Sequence, residues 1–182
     1  MRRLLTLCCL LMIATPAFAL ENENLLVRLP DGYKQGFSDR KDNMVINEFV
    51  PDGQTVEDWT EMVTVQIFFG MKGVTPAQFR ARIEQLWSKA CADASSHSIA
   101  SAVEKGYATV VWMMNCPRNA QTGKLEITWF KALQGNDSFY VVQKAFKFDP
   151  PKEQIVQWTL WLKRVALCDT RLPERACPAG MQ

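Results

Sequence analysis

The sequence predicts an α+β fold, with a central antiparallel sheet of about six strands flanked by two main helices. Three observations lead there. Between residues 98 and 148 four strand-length segments follow one another with only short turns or loops between them, which makes them antiparallel neighbours. Residues 75–90 and 151–168 carry apolar positions at helical spacing. Several strands are apolar on both sides, which calls for a helix on each face of the sheet.

The elements follow in order. Residues 1–19 read as a cleavable signal peptide. Arg2 and Arg3 form the basic n-region, residues 4–14 the apolar h-region, and Ala17-Phe18-Ala19 the cleavage site. The apolar run falls short of the roughly 20 residues a membrane span needs, and polar Glu21-Asn22-Glu23-Asn24 follows. Cys8 and Cys9 sit inside the h-region without a lipobox. The expected mature product is residues 20–182, one globular domain with a core over 25–168 and a disulfide-tethered tail over 169–182, and no stable membrane anchor after cleavage.

Residues 25–29 form a short strand closed by the turn Pro30-Asp31-Gly32, and residues 33–37 a second. Residues 43–50 are β-like and end at Pro51-Asp52-Gly53. Residues 55–61 read as a helical turn or short helix, with Thr55 and Asp58 in the S/T-x-x-D/E pattern. In 62–69, Val63, Val65, Ile67 and Phe69 share one face. The next helix has Thr75 as N-cap, Pro76 at its first position and Gln78 completing a capping box. Phe79, Ile83, Leu86, Trp87 and Ala90 mark its core face.

Residues 98–103 pair with 107–116 through the turn Glu104-Lys105-Gly106. Residues 125–133 and 139–148 form the next pair, joined by Gly135-Asn136-Asp137. The last helix is expected over 151–168, with a stripe of Ile155, Thr159, Leu162 and Ala166 widened by Val156, Leu160, Trp161 and Val165. Trp158 and Trp161 do not both fit that stripe, so one of them is expected at an exposed binding surface.

This order of elements resembles the Mog1/PsbP-like fold, including its bacterial DcrB-like branch. The phrase Leu29-Pro30-Asp31-Gly32-Tyr33 is similar to the opening of such chains. The resemblance covers most of 25–168 and implies a binding, assembly or chaperone-like module without shared catalytic residues.

Four of the six cysteines lie outside the leader: Cys91, Cys116, Cys168 and Cys177. An even count in an exported chain reads as disulfides, with three possible connectivities. Cys91–Cys116 and Cys168–Cys177 is the favoured one, because each bond would staple the end of a predicted helix to a strand or to the tail. There is no C-x-x-C, and His97 is the only histidine, so neither a zinc site nor a redox pair is expected.

Removal of Arg2 and Arg3 lowers the 21 basic residues to 19, against 19 acidic. A net charge near zero argues against a nucleic-acid binder. Phosphate-binding and nucleophile-elbow motifs are absent, and no catalytic residue, metal or cofactor is expected. The candidate binding residues are Glu57, Asp58, Trp59 and Glu61, where an indole beside carboxylates suits a sugar ring or a cation; the competing reading is a solvated acidic turn. The leading expectation is a non-enzymatic periplasmic or secreted domain that binds another envelope or secreted protein, or assists assembly. The alternatives are a small periplasmic hydrolase or glycan-binding protein using the acidic patch, and a carrier of an apolar ligand between sheet and helix.

Overall fold

The computed structural model describes residues 21–178; the leader lies outside them. The elements are β1 (Glu23–Leu26), β2 (Tyr33–Lys41), β3 (Met44–Pro51), β4 (Glu61–Phe69), α1 (Pro76–Ala90), β5 (Ser95–Glu104), β6 (Tyr107–Cys116), β7 (Glu126–Gln134), β8 (Ser138–Phe146), α2 (Lys152–Arg164) and β9 (Ala166–Asp169). A single turn of 3₁₀-helix follows at Pro173–Arg175.

The class is α+β, but the sheet has seven strands rather than about six, in the order β2-β3-β4-β8-β7-β6-β5. Every neighbouring pair is antiparallel. The sheet is inverted about its centre: β4 and β8 pair over nine residues and join the two hairpin runs, so the most buried strands, β7 and β8, lie inside.

The two helices cover opposite faces. Phe79, Ile83 and Trp87 of α1 rest on Val110, Trp112, Phe130 and Phe139. Trp158, Trp161 and Leu162 of α2 rest on Val63, Trp129, Val142 and Phe146. Burial of a large apolar side chain stabilises by roughly 1.5–3 kcal/mol, so the α2 trio is the principal anchor of that helix. The start of α1 is as expected: Thr75 caps it, Gln78 returns the bond, and Pro76 occupies the first turn. Leu86, expected on the core face of α1, is instead exposed.

Three further expectations are corrected. Residues 55–61 form no helix. The Thr55 hydroxyl does accept from the Asp58 amide, at 3.2 Å, but β4 begins at Glu61 and pairing with β8 takes the chain into extended geometry. The last helix ends at Arg164, not 168. Val165 is extended, and residues 166–169 pair with 23–26. That partner strand is at the far end of the chain, and a local periodicity cannot reveal it. The stripe on α2 is also rotated: Val156 and Leu160 are exposed, while Trp158 and Trp161 are both buried, at 4% and 5% exposure. The larger indoles take the core face, and the two aliphatic residues yield it.

The cysteines stand at disulfide distance as Cys91 with Cys116 and Cys168 with Cys177, their Cα atoms 5.9 and 4.8 Å apart. The first pair ties the end of α1 to the end of β6. The second ties β9 to the tail.

Candidate functional site

The α2 face of the sheet holds two lysines where strand alternation calls for apolar residues. Lys131 shares a face with Trp129 and Leu133, and Lys144 shares one with Val142 and Phe146; both are fully buried. A buried ammonium is costly unless every N–H finds a partner. Lys131 donates to Glu104 Oε2 at 2.6 Å and to the Leu162 carbonyl at 3.2 Å. The second bond adds to the one that the Leu162 carbonyl already accepts from the Val165 amide, in the last turn of α2, where positive charge also suits the helix dipole.

Lys144 donates to Glu61 Oε2 and to the Tyr33 hydroxyl, each at 2.7 Å. Its Nζ lies 4.0 Å from the ring centre of Trp158 and 4.4 Å from that of Phe146. The Glu61 carboxylate also accepts from Tyr33 at 2.8 Å and from Gln154 Nε2 of α2 at 2.9 Å. Burial lowers the Lys144 ammonium to about 8, against the raising effect of Glu61. Burial would raise Glu61, yet Lys144, Tyr33 and Gln154 together hold it below the ordinary carboxylate value. Tyr33 is raised by burial and by Glu61, and stays a phenol. Both ends of α2 are thus fixed by a buried lysine: Lys144 through Glu61 and Gln154 at its start, Lys131 at its end.

The helix so positioned forms one wall of an open groove of about 750 Å³. Residues 26–31 form the opposite wall, and the β5–β6 turn closes one end at Lys105. Trp161 Nε1 donates to the Arg28 carbonyl at 2.7 Å, which fixes the two walls to each other. Its accessible apolar surface comes from the half-buried Leu26, Leu29, Pro30 and Ala166, with Trp158, Trp161 and Val165 nearly buried beneath them; Arg28, Lys105, Arg164 and Asp31 stand around it. The groove is open to solvent and has a charged rim. A carrier that encloses an apolar ligand needs a closed apolar cavity, and the space beneath α2 is instead filled by the packed core.

The acidic patch is dispersed. Glu57 and Asp58 point to solvent. Lys147 Nζ sits 3.8 Å from the ring centre of Trp59, so that indole already carries a cation of its own chain. Glu61 is bound into the Lys144 network. None of the four lines the α2 groove. His97 lies exposed on the edge strand β5, and the neighbouring Ser96 hydroxyl is bonded to Glu84 and Arg80 of α1. Among the described residues no cluster of His, Cys, Asp or Glu is placed to hold a metal ion, and no helix is long and apolar enough to cross a membrane.

Sequence reasoning missed Arg28, Lys105, Arg164, Lys131 and Lys144. For the two buried lysines a signal existed: each interrupts the apolar parity of its strand. For the groove there was none, because its walls come together only through the β1–β9 pairing and the turn of the far hairpin.

No curated protein matches the chain. Two solved structures resemble it in chain layout. One is a point mutant of protein Mog1, at 11% identity over 77% of this chain and 84% of that one, with a TM-score of 0.45. The other is the Saccharomyces cerevisiae Ran-binding protein Mog1p, at 11% identity over 78% and 85%, with a TM-score of 0.46. This agrees with the weak Mog1/PsbP-like resemblance of the element order, and nothing about the groove is drawn from it. A protein-family model matches residues 31–166, from the Pro30-Asp31-Gly32 turn to the first residue of β9, and the chain belongs to that family.

Proposed function

We propose that this chain is an exported, non-enzymatic binding or assembly domain whose working surface is the α2 groove and whose partner is another envelope or secreted protein. The observation that carries the reading is the groove itself: a concave, open surface with an apolar base of Leu26, Leu29 and Pro30 over the buried indoles, held rigid by two buried lysines and by the Trp161–Arg28 bond. An apolar base inside a polar rim is the usual anatomy of a protein-recognition surface. Export is supported by the leader-like first 19 residues, and an oxidising compartment by the two cysteine pairs.

The test is photo-crosslinking in intact cells that produce the full chain. A photoreactive amino acid replaces Gln157, an exposed groove residue, or Arg82 on the outer side of α1. A discrete protein adduct from position 157 and none from 82 is the expected result. Equal labelling from both positions, or none from 157, overturns the assignment.

A further inference from the structure

Three cations stand around the groove: Arg28 on one wall, Arg164 on the other and Lys105 at the end. All three are exposed. Among the described residues none of them takes part in an ion pair. Asp31 is the one acidic residue lining the groove, so the rim carries a net positive charge although the mature chain as a whole is nearly neutral. Clefts lined by one sign of charge concentrate ligands of the opposite sign.

The position of Lys105 is a second, independent sign. Its backbone is left-handed, at φ 48°, and Gly106 follows at φ 80°. This is the two-residue hairpin turn in which Asn, Asp or Gly is favoured at the first position. A left-handed lysine costs about 1–2 kcal/mol, and nothing in the turn repays it: the Lys105 ammonium has no side-chain partner among the described residues. Strained residues persist where another demand holds them, and here the side chain reaches the groove.

We infer that the groove binds an acidic peptide segment of a partner protein, with apolar side chains on the half-buried Leu26, Leu29 and Pro30 above the buried Trp158–Trp161 pair, and carboxylates toward Arg28, Lys105 and Arg164. This rests on the groove being the binding surface and adds the chemistry of its occupant. The groove's openness fits a passing length of chain, and its volume falls within the range of ligand sites, about 300–1,000 Å³. The three cations set the charge that the segment brings.

The test uses the mature chain, residues 20–182, labelled with nitrogen-15. Three probes are titrated: a capped seven-residue peptide alternating aspartate with leucine and phenylalanine, its counterpart with lysine in place of aspartate, and laurate. The acidic peptide is expected to shift the indole N–H signals of Trp158 and Trp161, and to bind more weakly as salt rises. The double variant Arg28→Glu/Arg164→Glu is expected to bind it roughly tenfold or more weakly, with a thermal midpoint lowered only slightly, because both residues are exposed and only Arg164, in the last turn of α2, faces the helix dipole. Equal binding of the lysine peptide overturns the inference, as does a response to laurate alone or a shift confined to other tryptophans. A protein crosslinked from position 157 while the acidic peptide leaves the two indoles unmoved would reject this occupant and keep the groove; failure of both experiments rejects both.

Discussion

Raising the pH from 8 to 10 should stabilise this protein, contrary to the usual alkaline loss. The cause is Lys144. In the unfolded chain its ammonium titrates near 10.5, and in the fold burial brings it down to about 8. Between those values the unfolded state holds the proton and the native state has released it, so stability rises with pH across that window. The full displacement is worth about 3 kcal/mol, the cost of keeping the charge buried at neutral pH even with Glu61 beside it. About 2 kcal/mol of it falls between pH 8 and 10, which for a chain of this size is a rise of about 4–8 °C in melting temperature. Tyr33 and Tyr140 titrate above the ordinary phenol value in the fold, so they oppose the trend only once the unfolded phenols begin to ionise near 10. The assay is thermal unfolding by circular dichroism at intervals from pH 7 to 10, on the wild type and on Lys144→Met. The variant keeps most of the side chain's length and removes this titration; Lys147, also lowered by burial, remains in both proteins and adds a smaller rise of the same sign, so the variant should climb distinctly less than the wild type. A wild-type midpoint that moves in parallel with that of the variant would refute the reasoning.

Other outcomes follow from single contacts. Trp161→Phe removes the donor to the Arg28 carbonyl; a loss of about 1–3 kcal/mol is expected in urea unfolding. Thr75→Ala takes away the hydroxyl that accepts from the Gln78 amide and leaves the bond from its own backbone N–H to the Gln78 side chain; the cost expected is about 1 kcal/mol by the same measurement. Lys105→Asn relaxes the left-handed turn and should stabilise by roughly 1 kcal/mol while weakening the acidic peptide in the nitrogen-15 titration. Reducing agent should lower the melting temperature markedly, since loops of these lengths contribute roughly 2.5–3.5 kcal/mol each when closed; an unchanged midpoint with all four thiols free would contradict the bonds.

Local chemistry explains what could be read in advance. Thr75, Pro76 and Gln78 mark the start of α1 without reference to anything else in the chain, and the hairpins β5–β6 and β7–β8 follow from adjacent segments and their turns. What stayed hidden depends on distant partners. β9 resembles the end of a helix until Glu23–Leu26 pairs with it. The phase of α2 depends on which side chains the sheet accepts, and the indoles displace Val156 and Leu160. The site divides in the same way. In the sequence Glu61 belongs to an acidic patch, but its role is set by Lys144, which reaches it across the β4–β8 pairing. The groove cations are separate in sequence and converge only in the fold.

Intact-mass measurement of the protein from its native source reads the proposed export and the proposed oxidation together. The expected mass is that of a chain starting at Leu20 and lighter by the four hydrogens lost in two disulfides. A mass that retains Met1 and every cysteine hydrogen would contradict it.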